Sequence, residues 1–425
     1  MLQILICVKG KTASTSRPNG RGRPSAPRCR FQDHLATFRS GASTHPEQRG
    51  NTVMAANDHK DAGEQTDRPF GTLELVHAFR EGPMPTGVTV SHTGRIFVNY
   101  PLWGDDVAAT VVELRDGEAV PFPDQAWNAG SGDLSKRLVS VQSVVIDPAD
   151  RLWILDTGSP LFKPTEPGGP KLVCVDLRSD TVVRVITFEP DVAPSTSYLN
   201  DVRFDLRKAA EGVAYVTDSS GNGPNAVVVV DLATGQAWRR LDDHPSTKAE
   251  SPPAYLPIVE GRVFMERPKD GPPKPVLMGV DGIAISADGK RLFYCPLMSR
   301  HLYSVSADVL ADRSVSEEEV AATVVDEGDK GGSADGLETD DAGRVYITNW
   351  EHNAIMRRLP DGTFETFVHA PRLLWPDTMS VTQGHLYVTS NQLHRQADYQ
   401  NGQDLRRYPY ALFRTPIDAG PVRLL

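Results

Sequence analysis

Thiols are scarce in this chain and long apolar runs are missing. The four cysteines among 425 residues (Cys7, Cys29, Cys174 and Cys295) lie far apart, with no Cys-x-x-Cys or Cys/His spacing. That excludes a thiolate metal site and leaves free thiols as the expectation. No apolar run is long enough to span a bilayer, so no membrane partner is expected. The opening MLQILICVKGK has an apolar run too short for a signal-peptide core, no basic flank before it and no small-residue cleavage site after it, and does not read as a secretory signal. Basic charge is short as well. Lys and Arg number 45 against 55 Asp and Glu, a formal net charge of -10, which disfavours nucleic acid, whose phosphates need clustered cations. Cations and amines suit that balance better. No GxSxG, HExxH, P-loop or GxGxxG stands in a fitting context, so the common hydrolase, zinc and nucleotide signatures are excluded too.

With 39% hydrophobic and 24% charged residues, the chain can bury at least one large core. Residues 11–69 are rich in Ser, Gly, Pro, Arg and His without apolar periodicity. Such a segment cannot repay the entropy of ordering, so 1–69 is expected to be an unordered N-terminal segment ahead of one domain over 70–425. Met54 is an alternative translation start.

Beyond residue 70 one pattern recurs six times: GVTVSHTGRIFVNYP, SVVIDPADRLWILDTG, DVRFDLRKAAEGVAYVTDSS, GIAISADGKRLFYCPL, GLETDDAGRVYITNW and TMSVTQGHLYVTSNQ. Each copy is a short alternating strand, a polar turn and a second strand rich in Val, Ile, Tyr and Phe, the signal of a tight hairpin. Most are followed by a further strand pair, such as KLVCVDLRSDTVVRVITF or AVVVVDLATGQAWRRL. Four strands per unit and six units predict an all-β fold, a six-bladed β-propeller of four-stranded antiparallel blades. LELVHAF, before the first repeat, is a spare strand expected to complete the last blade and close the ring.

The DTGS after LWIL at Asp156 has the form of an aspartic-protease loop, yet it ends the second strand of a repeat and has no matching second copy. The propeller accounts for it without a dyad.

Residues just before each innermost strand converge on the propeller axis: Thr86, Gln142, Asn200 with Asp201, Asp281, Asp335 and Asp377. Carboxylates gathered there repel one another unless a cation, an amine or shared protons compensate. Asp281, Asp335 and Asp377 are therefore the candidate general bases, and Gln142, Asn200 and Asp201 candidate ligand-binding groups. Long loops on the same face, including the Pro-rich insertion of about 241–280 with a hairpin around IVEGRVFM, bring aromatic residues toward the mouth. Trp127, Tyr198, Trp350 and Trp375 are the candidate ligand-stacking rings. His352 and His394 read as solvated loop histidines, and GDKGGSADG (328–336) as a mobile loop.

On VPFPDQAWN, LVSVQSVVIDPADRLWILDTG, YLNDVRFD, GVDGIAISADGKRLFYCPLMSRHLYSV and SADGLETDDAGRVYITNWEHNAI, the chain from about Leu73 onward resembles the major royal jelly protein/Yellow family. The resemblance implies a six-bladed propeller and, from other members, melanin-linked dopachrome conversion, biogenic-amine binding or storage. Members are generally secreted. A second resemblance, of fold and pre-strand residues only, is to the gluconolactonase/regucalcin-like propellers. It implies an axial divalent metal such as Ca²⁺ on Asn200, Asp281 and Asp335, but MPTG stands where that family carries its Glu. The expected ligand is thus a small molecule: a catechol, an indoleamine or, on the second resemblance, a lactone.

Overall fold

A computed structural model of the chain describes residues 67–425. The expected unordered segment therefore lies, up to residue 66, outside the described residues. Of its remainder, Asp67 accepts a hydrogen bond from His369 Nε2 (2.6 Å).

The described residues form six four-stranded antiparallel sheets. The first blade comprises Val88–Val90, Ile96–Asn99, Val111–Arg115 and Glu118–Pro121. The second runs through Val141–Ile146, Arg151–Asp156, Lys171–Asp176 and Thr181–Thr187, and the third through Leu199–Asp205, Val213–Asp218, Ala226–Asp231 and Ala237–Arg240. The fourth holds Val280–Ile285, Arg291–Pro296, His301–Ser306 and Val325–Asp329, and the fifth Leu337–Thr339, Val345–Asn349, Ala354–Arg358 and Phe364–His369.

The sixth blade closes the ring as the spare strand predicts. Glu74–Phe79 pairs antiparallel with Tyr410–Pro416, which pairs with His385–Ser390 and then Pro376–Thr382. Strands from both ends of the described residues share one sheet, which ties the ring shut.

Blade faces pack on one another through alternating apolar residues. Trp153, Leu172, Phe204, Val216 and Val228 bury the contact between the second and third blades, and Tyr215, Val229, Ile283, Leu292 and Val305 that between the third and fourth. Short helices interrupt the fourth blade at Ala307–Ala311 and Glu317–Ala321. The second of these begins with a capping box, Ser316 and Glu319 each bonding the other's backbone amide, which satisfies two donors that a helix start leaves open.

The insertion holds the anticipated hairpin, Ile258–Val259 against Arg262–Val263. It packs inward through Val259 and Phe264, both buried in the cluster that holds Trp350 and Trp375. The segment expected to be a mobile loop is packed instead: Lys330 is fully buried, and its ammonium donates to the carbonyls of Ser299 (2.6 Å) and His301 (3.2 Å). Glycine content in the sequence hides this anchor.

Candidate functional site

Four of the six inner strands break register at their upper end, between Val141 and Ser143, Leu199 and Val202, Val280 and Ile283, and Pro376 and Met379. The residues so displaced are Gln142, Asn200 with Asp201, Asp281 with Gly282, and Asp377 with Thr378. A bulge leaves its extra residue unpaired and re-aims the side chain. These positions converge because the ladder lets go of them, not merely because a strand begins there.

Second-strand residues hold the freed backbone. Thr217 Oγ1 accepts from the Asp201 amide (3.1 Å) and donates to the Asp281 carbonyl (2.8 Å). Thr348 Oγ1 accepts from the amides of Asp335 (3.0 Å) and Gly336 (2.9 Å). Thr389 Oγ1 accepts from the Thr378 amide (3.1 Å) and donates to the Thr86 carbonyl (2.6 Å). In the first blade Asn99 stands at this place, its Nδ2 donating to Thr86 Oγ1 (2.9 Å) and the Gln142 carbonyl (2.9 Å). Sequence reasoning passed over these residues, although the repeats carry the signal as YVT, YIT and YVT.

At two contacts between neighbouring inner strands there is no room for a side chain. A Cβ on Gly282 would lie 2.6 Å from the Asp335 carbonyl oxygen, and one on Gly336 would lie 2.4 Å from that of Asp377. The glycine after each aspartate in the Asp-Gly pairs at 281 and 335 lets adjacent backbones meet, which draws the aspartates together.

All the predicted axial groups are buried: Gln142, Asn200, Asp201, Asp281, Asp335 and Asp377. Asn200 Nδ2 donates to Asp281 Oδ2 (2.8 Å) and Ser219 Oγ (3.0 Å). Trp375 Nε1 donates to Asp335 Oδ2 (2.7 Å), and Asn391 Nδ2 to Asp377 Oδ2 (2.6 Å). Asp201 is a different case. It accepts from Ser143 Oγ (2.7 Å) and the Arg203 guanidinium (2.9 Å), so its charge is compensated within the protein.

Electrostatics follow from this arrangement. Burial, and then the neighbouring Asp335, Asp377 and Asp201, hold the Asp281 carboxyl well above the usual range. Burial and then Asp335 do the same to Asp377. Burial lifts Asp335 to about 7, against the opposing hydrogen bond from Trp375. The three carboxyls therefore hold their protons to higher pH than ordinary carboxyls do, and Asp335, at about 7, is in part ionised at neutral pH.

The aromatic candidates divide. Tyr198 reaches the site: its hydroxyl donates to Gln142 Oε1 (3.0 Å) and accepts from Trp103 Nε1 (2.7 Å). Its ring stacks on Phe162, centroids 4.7 Å apart, and both line a cavity of about 410 Å³ that also includes Tyr399, Glu266 and Asp398. Trp350 and Trp375 stack on each other at 4.5 Å beneath Phe264, and both are fully buried; they pack the insertion onto the ring of blades rather than walling an open mouth. Trp127 packs beside Phe97, Phe122 and Leu138 at the contact of the first two blades, outside the axial network. His394, expected to be solvated, is buried and stacks on Trp375 at 5.8 Å.

Asp156 is structural. Its carboxylate accepts the amides of Val139 (2.6 Å), Ser140 (2.9 Å) and Gly158 (3.0 Å) and pairs with the wholly buried Lys171 ammonium (2.7 Å). No carboxyl is left to share a proton.

The donors of Asn200, Asp281 and Asp335 are few. N–H groups of Asn200 and Trp375 already occupy one oxygen of Asp281 and of Asp335, which leaves two carboxylate oxygens and one amide oxygen where Ca²⁺ takes six to eight. Among the described residues no group of three or more His, Cys, Asp or Glu could hold a metal ion. The residues do not fit a resident metal.

Comparison with known proteins gives the lineage. A family model described as major royal jelly protein matches residues 139–417. Major royal jelly protein 7 of Apis mellifera is 29% identical over 206 residues, 47% of this chain and 42% of that protein. Protein yellow of Drosophila subobscura is 26% identical over 249 residues, 55% of this chain and 41% of its own. The matched stretch thus spans less than half the length of these curated relatives. Among solved structures, a luciferin-regenerating enzyme superposes with a TM-score of 0.50 at 11% identity, over 83% of this chain and 97% of that one. A calcium-binding protein, regucalcin, from Agrobacterium tumefaciens gives 0.49 at 13% identity, over 82% and 98%. At 11% identity the likeness to the luciferin-regenerating enzyme is one of fold alone.

Proposed function

Since the chain belongs to the major royal jelly protein family, we propose that its propeller binds a small amine-bearing aromatic molecule at the axial acid cluster and isomerises it by proton transfer. The observation that carries this reading is the buried trio Asp281, Asp335 and Asp377, whose carboxyls are raised by burial and then by nearby carboxylates; a cavity of about 410 Å³, which the trio itself does not line, reaches the axial network through Tyr198 and its bond to Gln142. A ligand ammonium supplies the positive charge that the trio lacks, and Phe162, Tyr198 and Tyr399 border the space for an aromatic body.

Proton transfer follows from the unequal carboxyls. Asp335, at about 7, is in part ionised at neutral pH and takes a carbon-bound proton. Asp281 or Asp377, kept protonated, returns one to another ring atom. Atoms and charge balance without an oxidant, as a dopachrome-type tautomerisation requires.

The test is calorimetric titration of dopamine and tryptamine, with catechol and indole as uncharged controls, from pH 6 to 8. Amine affinity should rise with pH through about 7 as Asp335 ionises, and Asp335→Asn should lower it at least tenfold. Dopamine binding that is unchanged in Asp335→Asn and Asp281→Asn defeats the electrostatic reading. Turnover of dopachrome, assayed with and without chelator, then separates an isomerase from a carrier; full activity in chelator is expected.

A further inference from the structure

A second cavity, of about 130 Å³, lies between the insertion hairpin and the loop 393–405, lined by Glu260, Arg262, Arg267, His394, Arg395 and Gln400 along with apolar neighbours. Its walls are tied together: the Arg267 amide donates to the Asp398 carbonyl (2.7 Å), and the Asn401 amide to the Arg267 carbonyl (2.9 Å). Gln400 Nε2 donates to the His394 carbonyl (2.7 Å).

The charge here runs against the acidic balance of the whole chain. Three guanidiniums face one carboxylate, so two positive charges are left over. Arg395 pairs with Glu260. Arg262 reaches only Gln400 Oε1 (3.2 Å), and Arg267 only the carbonyls of Met265 (3.4 Å) and Val263 (2.7 Å). Among the described residues neither has a carboxylate partner. Burial, and then the neighbouring Arg262, pull Arg267 below its ordinary value.

A separate observation points the same way. The His394 side chain is 1% exposed, yet neither ring nitrogen has a hydrogen-bond partner. Its Nε2 lies 3.0 Å from Glu260 Oε2, an ion pair when the ring is protonated, and its Nδ1 has no partner at all. Buried polar groups are seldom left this way unless something absent from the protein satisfies them.

We propose that this cavity is a binding site for a tetrahedral oxyanion, phosphate or a phosphomonoester, held by Arg262 and Arg267 with His394 at its base. Guanidinium forks match the oxygens of such a group, and a dianion neutralises the two surplus charges. The site is distinct from the axial carboxyls. The two are joined by the His394 ring, which stacks on the indole that holds Asp335.

The experiment is calorimetric titration of inorganic phosphate and of O-phosphorylethanolamine in chloride buffer at constant ionic strength, into the wild type, Arg262→Gln and Arg262→Gln/Arg267→Gln. Saturable binding of one phosphate is expected, at least tenfold weaker in the double variant, with dopamine titrations unaltered by either. Arg262 is exposed, so its single variant remains informative if the double variant misfolds. Tighter binding of the monoester identifies an organic phosphate as the occupant, and equal affinities identify the free anion. Binding no stronger than chloride produces, or undiminished in the variants, overturns the proposal. Since dopamine is titrated separately, failure of the axial reading leaves this result standing.

Discussion

At the residue scale, the aspartates divide into two populations that look alike in sequence. Asp156 and Asp218 end second strands and clamp the loop ahead of the inner strand. Asp218 accepts the Tyr198 amide (2.8 Å) and pairs with Arg239 (2.7 Å), much as Asp156 serves Val139 and Lys171. Breaking one partner of a wholly buried pair strands the other, so Lys171→Met should cost about 3–5 kcal/mol, read by urea denaturation. The axial aspartates behave in the opposite sense. Burial lifts the Asp335 carboxyl to about 7 from its ordinary 3.8, so the folded state binds its proton more tightly than the unfolded chain does. Its contribution to stability is full below about pH 4 and is lost as pH rises through 7. Asp335→Asn should therefore flatten the pH dependence of Tm between 5 and 8 and raise Tm at pH 8 while weakening amine binding; a lower Tm at pH 8 contradicts a carboxyl destabilised by burial. Neither population could be told from the other by residue type alone, because the distinction is whether a cation or several amides reach the carboxylate.

At the scale of elements, the hairpin repeats and the Asp-Gly pairs were plain in the sequence, but the device that aims the aspartates was not. Period-two alternation cannot show a bulge, because the extra residue is an interruption in pairing and pairing is a property of two strands. The glycines give a direct test. With the Asp377 carbonyl oxygen 2.4 Å from the position of a Cβ on Gly336, Gly336→Ala must push two inner strands apart, costing about 1–3 kcal/mol. Amine binding should weaken with it, because the Asp335–Asp377 spacing changes. A variant with wild-type Tm and affinity would show that the strands separate freely. The insertion is similar: its hairpin was legible from IVEGRVFM, whereas the seat of Phe264 on Trp350 and Trp375 depends on residues far along the chain.

At the scale of the whole molecule, one strand from near residue 74 completes a sheet made otherwise from residues 376–416. Removing residues 67–80 takes away the outer strand of the sixth blade, and thermal unfolding should lose its single sharp transition and begin at lower temperature. What the sequence by itself determined is the repeat: six hairpin units, the blade architecture, the closing strand and the axial aspartates, because local alternation and turn chemistry recur at each unit and a ring is the way such units bury both faces. What only the tertiary structure decided is the state of each side chain. It paired Asp201 with Arg203 and left Asp281, Asp335 and Asp377 uncompensated. It buried two tryptophans that a linear reading set around the mouth, and it gathered Arg262, Arg267 and His394 around one cavity. Charge compensation, burial and hydrogen-bond satisfaction depend on distances between residues remote in the chain, and those distances exist only once the ring has closed.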